Sequence, residues 1–211
     1  MGQGSYVICE MDSVQKEYPS FQAQMAKLER DLLAKCALDW GSVSQPKAFG
    51  KLTPKAGEFG RTTILPGLFH DQNLADLATW RQLFIAAGNQ VLLQGNGAGN
   101  TLPEDFKVGC MGFAFPNKEQ NITEIKMQIG DRKYGRINLE EMRGYNKPAV
   151  IFEEGFTIEE EQSFELYGYV EGPIPVAHDG YIGIHQRIVP IGFCCYRIID
   201  KVLGNCGATI I

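Results

Sequence analysis

A chain of 211 residues, 44% apolar and 21% charged, is long enough to bury a substantial core and too apolar to be disordered throughout. Its formal charge of −5 gives no basis for a bulk electrostatic affinity for nucleic acid or an anionic membrane. No run of about 18 apolar residues occurs, so no membrane span is expected, and 24 glycines suit a fold with many turns.

Residues 1–12 read as an arm with one apolar patch, Tyr6-Val7-Ile8-Cys9, and no partner strand next to it. The start lacks the basic and apolar regions of a secretory leader. Met1-Gly2 opens an acylation pattern that needs Ser or Thr where Tyr6 stands, so acylation is not expected. Over residues 20–39, Phe21, Met25, Leu28, Leu32 and Cys36 recur at steps of three and four, which predicts a helix with one apolar stripe packed on its own domain, with docking on a neighbouring subunit as the alternative. Lys27, Asp31 and Lys35 lie four apart on another face and can pair, and Pro19 sits where a first-turn proline is tolerated. Residues 41–67 read as a connector, punctuated by Pro46, Pro54 and Pro66 and locally basic through Lys47, Lys51, Lys55 and Arg61. So long a stretch without periodicity suggests an extended arm or solvated loop. Asn73–Ala87 reads as a second, shorter helix with Leu74, Leu77, Trp80, Leu83 and Phe84 near one face; a strand over Trp80–Ile85 is the alternative.

From Gln90 onward the pattern is sheet. Strands are expected at Gln90–Gln94, Phe106–Phe115, Ile122–Ile129 and Tyr134–Leu139, with a turn at Gly130-Asp131. Pro148–Val170 contains two more: Val150 and Phe152 alternate with Ile151 and Glu153, then Phe164, Leu166 and Val170 with Glu165, Tyr167 and Tyr169. A loop follows over Gly172–Gly180, then a long run, Tyr181–Ile199, in which Pro190 implies an edge, a bulge or a break. The expected fold is mainly β: an antiparallel jelly-roll-like sandwich over residues 90–203, preceded by an arm, one or two helices and a connector over 1–89, and followed by a tail over 204–211.

Chemical motifs are sparse. The loop Gly95–Asn100, GNGAGN, is followed by Thr101-Leu102-Pro103 and a strand-like run, not by a helix that could face a pyrophosphate. His70, His178 and His185 lack the spacing of a cupin metal set and read as loop and surface residues. Glu153, Glu154, Glu159, Glu160, Glu161 and Glu165 could gather a hard cation or supply a glycosidase pair, but exposed glutamates on a sheet more often solvate it and discourage edge pairing. Cys9, Cys36, Cys110, Cys194, Cys195 and Cys206 form no C-x-x-C pair and read as reduced, mostly buried thiols of a protein made in the cytosol. No catalytic residue, cofactor or metal is expected.

The order of a strand at Phe106–Phe115, the hairpin at Gly130-Asp131, and then KPAVIFEEGFTI, SFELYGYV and RIVPIGFCCYRI resembles the single jelly-roll coat proteins of icosahedral viruses over residues 90–200. The resemblance implies two packed four-stranded sheets and a capsid subunit that assembles in the host cytoplasm into a virion, as a symmetric homo-oligomer alongside any other virion proteins, without specific nucleic-acid binding. Tyr6, Val7, Ile8, Phe49, Leu52, Phe59 and Ile64 are the apolar anchors expected to meet neighbouring subunits. A filament or tail subunit, and a carbohydrate-binding or cupin-like module, are the alternatives.

Overall fold

The computed structural model describes residues 6–9, 19–41, 59–69, 79–117, 120–140, 145, 147–174 and 183–197. These contain an N-terminal helix, α1 (Phe21–Trp40), and the strands β1 (Tyr6–Cys9), β2 (Phe59–Thr63), β3 (Arg81–Phe84), β4 (Gly88–Gln94), β5 (Phe106–Ala114) and β6 (Ile122–Ile129). They continue with β7 (Arg132–Lys133), β8 (Ile137–Asn138), β9 (Ala149–Ile158), β10 (Phe164–Val170), β11 (Ile184–Arg187) and β12 (Val189–Arg197). Every strand pairing is antiparallel. The protein is therefore a mainly β, antiparallel sandwich with one N-terminal helix, the class that the strand spacing predicts.

One sheet runs β1-β9-β5-β12-β2. The second runs β4-β10-β6, with β7 and β8 both paired to the far side of β6, and β3 and β11 form a separate ribbon. Between the two large sheets lies the main core: Val108, Cys110, Phe113, Val150, Ile158 and Cys194 from the first meet Leu92, Leu93, Ile122, Ile125, Met127, Phe164 and Leu166 from the second. Aromatic rings fill its centre, with Phe156 stacked on Phe164 at 6.3 Å and Phe69 edge-on to Phe164 at 5.3 Å.

Helix α1 covers the opposite face of the first sheet. Leu28, Leu32, Cys36 and Trp40 are buried one turn apart and pack on Phe59, Met111, Ala149, Ile151, Phe193 and Cys195. Phe21 and Met25 extend the stripe with partial burial. The helix stops at Gly41, whose φ of 92° suits a residue without a Cβ and whose N–H donates to the Ala37 carbonyl at 3.1 Å.

A sheet buried on both faces loses simple alternation, and β5 is buried at eight consecutive positions, Lys107–Ala114. Its register slips against both neighbours at Met111, where β9 bulges over Phe152–Gly155 and Gly192 of β12 faces Cys110. Alternation carries Met111 to the helix side, and the slip then returns Phe113 to the main core. Glycine is required here: a Cβ on Gly112 would lie 2.0 Å from the Val150 carbonyl oxygen.

Three expectations change. The second helix does not form over its described part, because Arg81–Phe84 is a strand paired with β11, burying Gln82 and Phe84 and exposing Leu83; residues 73–78 lie outside the described residues. The connector ends in strand β2, paired with β12, so the sandwich takes strands from both sides of the division at residue 89/90. The N-terminal patch Tyr6–Cys9 does have a partner, remote in sequence: it pairs with Ala149–Phe152 on the edge of the first sheet.

Candidate functional site: the ionic junction at the end of the helix

The densest chemistry lies where the last turn of α1 meets the start of β5, the end of β12 and the turn between β9 and β10. Lys107 points from β5 toward the helix, with its side chain 3% exposed. Its Nζ donates to Asp39 Oδ2 and to Glu159 Oε2, the latter at 2.8 Å. Lys35 donates to Glu159 Oε1 at 2.6 Å and to Thr157 Oγ1 at 2.9 Å. Trp40 Nε1 donates to Glu160 Oε1 at 3.2 Å, and its ring lies 5.3 Å from Lys107 Nζ and 5.7 Å from the Arg197 guanidinium. Arg197 donates through Nε to Asp105 Oδ1 at 2.7 Å. Two cations therefore face the negative end of the helix dipole, where Asp39 alone would be unfavourable.

The charges are matched. Burial alone would lift the Glu159 carboxyl, but its hydrogen bonds from Lys107 and Lys35 outweigh that and hold it below the usual glutamate range. Burial alone would lower the Lys107 ammonium, but Asp39 and Glu159 outweigh it and raise it above the usual lysine value. Groups satisfied in this way clamp the helix to the sheet. Of this junction, Lys35 and the glutamates stand out in the sequence, whereas Asp39, Trp40, Asp105, Lys107, Thr157 and Arg197 do not. Lys107 carried a signal, as a charge between Phe106 and Val108 in a strand buried on both sides.

The acidic set does not converge. Glu159 and Glu160 serve the helix, Glu165 accepts from Asn100 Nδ2 at 2.5 Å and Tyr167 Oη at 2.7 Å, and Glu153 and Glu154 are exposed on the β9 bulge. Among the described residues no three metal-ligating side chains gather, and no helix is long and apolar enough to cross a membrane. His185 is exposed on β11; His70 and His178 lie outside the described residues. In the loop Gly95–Asn100, the N–H groups of Gly95, Asn96 and Gly97 donate to Phe164, Leu68 and Thr101 carbonyls, so these donors face the protein and not a phosphate.

The expected interface anchors divide. Phe59 is fully buried beneath α1, with its ring 6.0 Å from Trp40, and Ile64 is buried in the main core, so both pack within this chain. Tyr6, Val7 and Ile8 form β1 at the sheet edge, and Phe49 and Leu52 lie outside the described residues.

The outer face of the second sheet is the open one. Gln94, Glu165 and Gln128 form one cross-strand row; Val91, Tyr167 and Lys126 the next; Asn89, Tyr169 and Glu124 the third. Lys126 Nζ sits 5.2 Å over the Tyr167 ring, and Glu165 accepts from the Tyr167 hydroxyl, which raises its pKa. That tyrosine face is thus already occupied by the protein. Between the sheets, the space among Phe69, Leu93, Val108, Cys110, Phe113 and Phe156 is too tight to admit water.

Comparison with known protein families, curated proteins and solved structures finds no match.

Proposed function

We propose that the sandwich is a jelly roll and that the chain is a structural subunit which self-assembles into a closed shell, as a viral coat protein does. The observation that carries this reading is strand order. Taken along the chain, β2, β4, β5, β6, β8, β9, β10 and β12 are eight strands. The first, eighth, third and sixth are neighbours in one sheet, and the second, seventh, fourth and fifth in the other. Two interlocked Greek keys have this order, and the architecture recurs in capsid domains as well as in lectins and cupins. Two features favour the shell over a binding module. The first sheet carries an added layer, with α1 on its face and β1 on its edge. The Tyr167 ring on which a sugar could stack is covered by Lys126.

The test is particle size. Purified protein should sediment as a species many times heavier than one chain and show closed particles by electron microscopy. A monomer at every concentration tried, or open filaments only, would count against the shell. Binding of a glycan panel by a discrete monomer would support the module instead.

A further inference from the structure

We propose that Cys36 and Cys195 form a latent oxidation site at which a small disulfide, such as oxidised glutathione, crosslinks helix α1 to strand β12. The helical stripe brings Cys36 onto the sheet. The dipeptide Cys194-Cys195 obeys strand alternation, so its two thiols leave on opposite faces. Cys194 turns into the main core, where its Sγ contacts the Thr63 carbonyl at 3.3 Å, while Cys195 turns toward the helix. There Cys36 and Cys195 lie in one buried cluster between the helix and the sheet. Cys110 lies on the main-core side with its Sγ 3.2 Å from the Gly112 carbonyl. Of Cys36, Cys110, Cys194 and Cys195, all of them free, Cys36 and Cys195 are the pair that shares the helix-facing side.

The chemistry balances as thiol–disulfide exchange. One protein thiol loses its proton and attacks a glutathione sulfur, which releases the first glutathione. The second protein thiol, also deprotonated, attacks the mixed disulfide and releases the second. The two protons end on the two glutathiones; the protein pair is oxidised and the glutathione disulfide reduced. The bond requires the two sulfurs to reach about 2.05 Å. Both thiols are completely buried, and the neighbouring Cys195 thiol, with burial second, raises the Cys36 pKa. The docked pair is therefore protected, and oxidation proceeds through states in which α1 has lifted. Redocking then closes the bond and ties the helix down. The site is independent of whether the chain assembles.

Full-length reduced protein is incubated with oxidised glutathione, once in native buffer and once in urea just below the unfolding transition. Thiols are alkylated after denaturation and the peptides mapped. The expected product lacks two alkylatable thiols, joins the Cys36 and Cys195 peptides, and forms faster in urea. Its Tm rises by roughly 5–10 °C. C36S should abolish the crosslink. The proposal is overturned if the crosslink joins other cysteines, Cys9 and Cys206 included. It is equally overturned if glutathione adducts persist without a crosslink, or if all thiols stay free after oxidation in urea. The mapping uses the unaltered chain, so a C36S variant that fails to fold does not decide the outcome.

Discussion

The junction at Lys107 makes an asymmetric prediction. Lys107 is 3% exposed in its side chain, whereas Asp39 is 45% and Glu159 32% exposed. Removing the lysine leaves two carboxylates that water still reaches. Lys107→Met keeps the stem that packs beside Trp40 and should cost about 1 kcal/mol, the scale of one partly exposed pair. Removing both carboxylates, as Asp39→Asn with Glu159→Gln, leaves a buried ammonium with no counter-charge. That should cost about 3–5 kcal/mol, or drive the lysine neutral. Urea unfolding at neutral pH, followed by circular dichroism and by tryptophan fluorescence, measures both. The size of each species is first checked by sedimentation, since association would add its own stability. The reasoning fails if Lys107→Met is as damaging as the double carboxylate variant, because the lysine would then matter for more than its charge balance.

Other expectations follow from the same contacts. Leu32 is completely buried between α1 and the sheet, so Leu32→Ala should cost about 2–5 kcal/mol in chemical denaturation, and unchanged stability would place the stripe elsewhere. Gly112→Ala puts a Cβ 2.0 Å from a backbone oxygen of the adjacent strand, so the variant should yield little folded protein, and a well-behaved soluble product would contradict the β5–β9 register. The pH dependence has two limits. The lowered Glu159 pKa supplies stability that is complete above the ordinary glutamate value of about 4.3 and lost as pH falls through the lower folded value. The raised Lys107 pKa supplies stability that is complete below about 10.4 and lost as pH rises through the higher folded value. An acid titration of the Glu159→Gln variant should lack part of the wild-type loss below pH about 4; identical curves would remove Glu159 from the clamp.

Local pattern carried much of the fold. The stripe of Phe21, Met25, Leu28, Leu32 and Cys36 has a helical period with a polar remainder, and its burial follows. Ile122–Ile129 alternates because only one face of its sheet is covered, and the observed strand has those bounds. Arg81–Phe84 reads as helix or strand because a four-residue apolar and polar mixture satisfies both periods; the strand alternative is the one that forms, and the choice is made by β11, about a hundred residues away. Phe59 and Ile64 looked like arm anchors because a strand paired on one edge leaves no periodicity that survives the neighbouring glycines and prolines. The junction was invisible for another reason: Lys35, Asp39, Lys107, Glu159 and Arg197 are brought together only by tertiary packing. Charges in four separate segments carry no spacing that marks them as one cluster.

The way the chain covers itself bears on how copies could meet. The first sheet has one face on the main core and the other under α1, and its β9 edge carries β1. Among the described strands it leaves two margins, β1, which pairs only with β9, and β2, which pairs only with β12. Among the described residues the second sheet leaves β4 at one edge, β7 and β8 at the other, and its outer face. That face is a poor surface for flat stacking: burying it would strip water from Lys126, Glu124 and Glu165, whose present partners leave them partly solvated. An edge strand instead offers backbone donors and acceptors that a neighbour can complete without moving a charge. If the chain builds a shell as proposed, its bonds between copies therefore belong at strand margins such as β1, β2 and β4, with the charged outer face left to solvent. Mixed-charge substitutions at Glu124 and Lys126 should then leave particle size unchanged, while proline placed at Thr62 or Val91 should reduce it; particles lost with the former and kept with the latter would reverse the assignment.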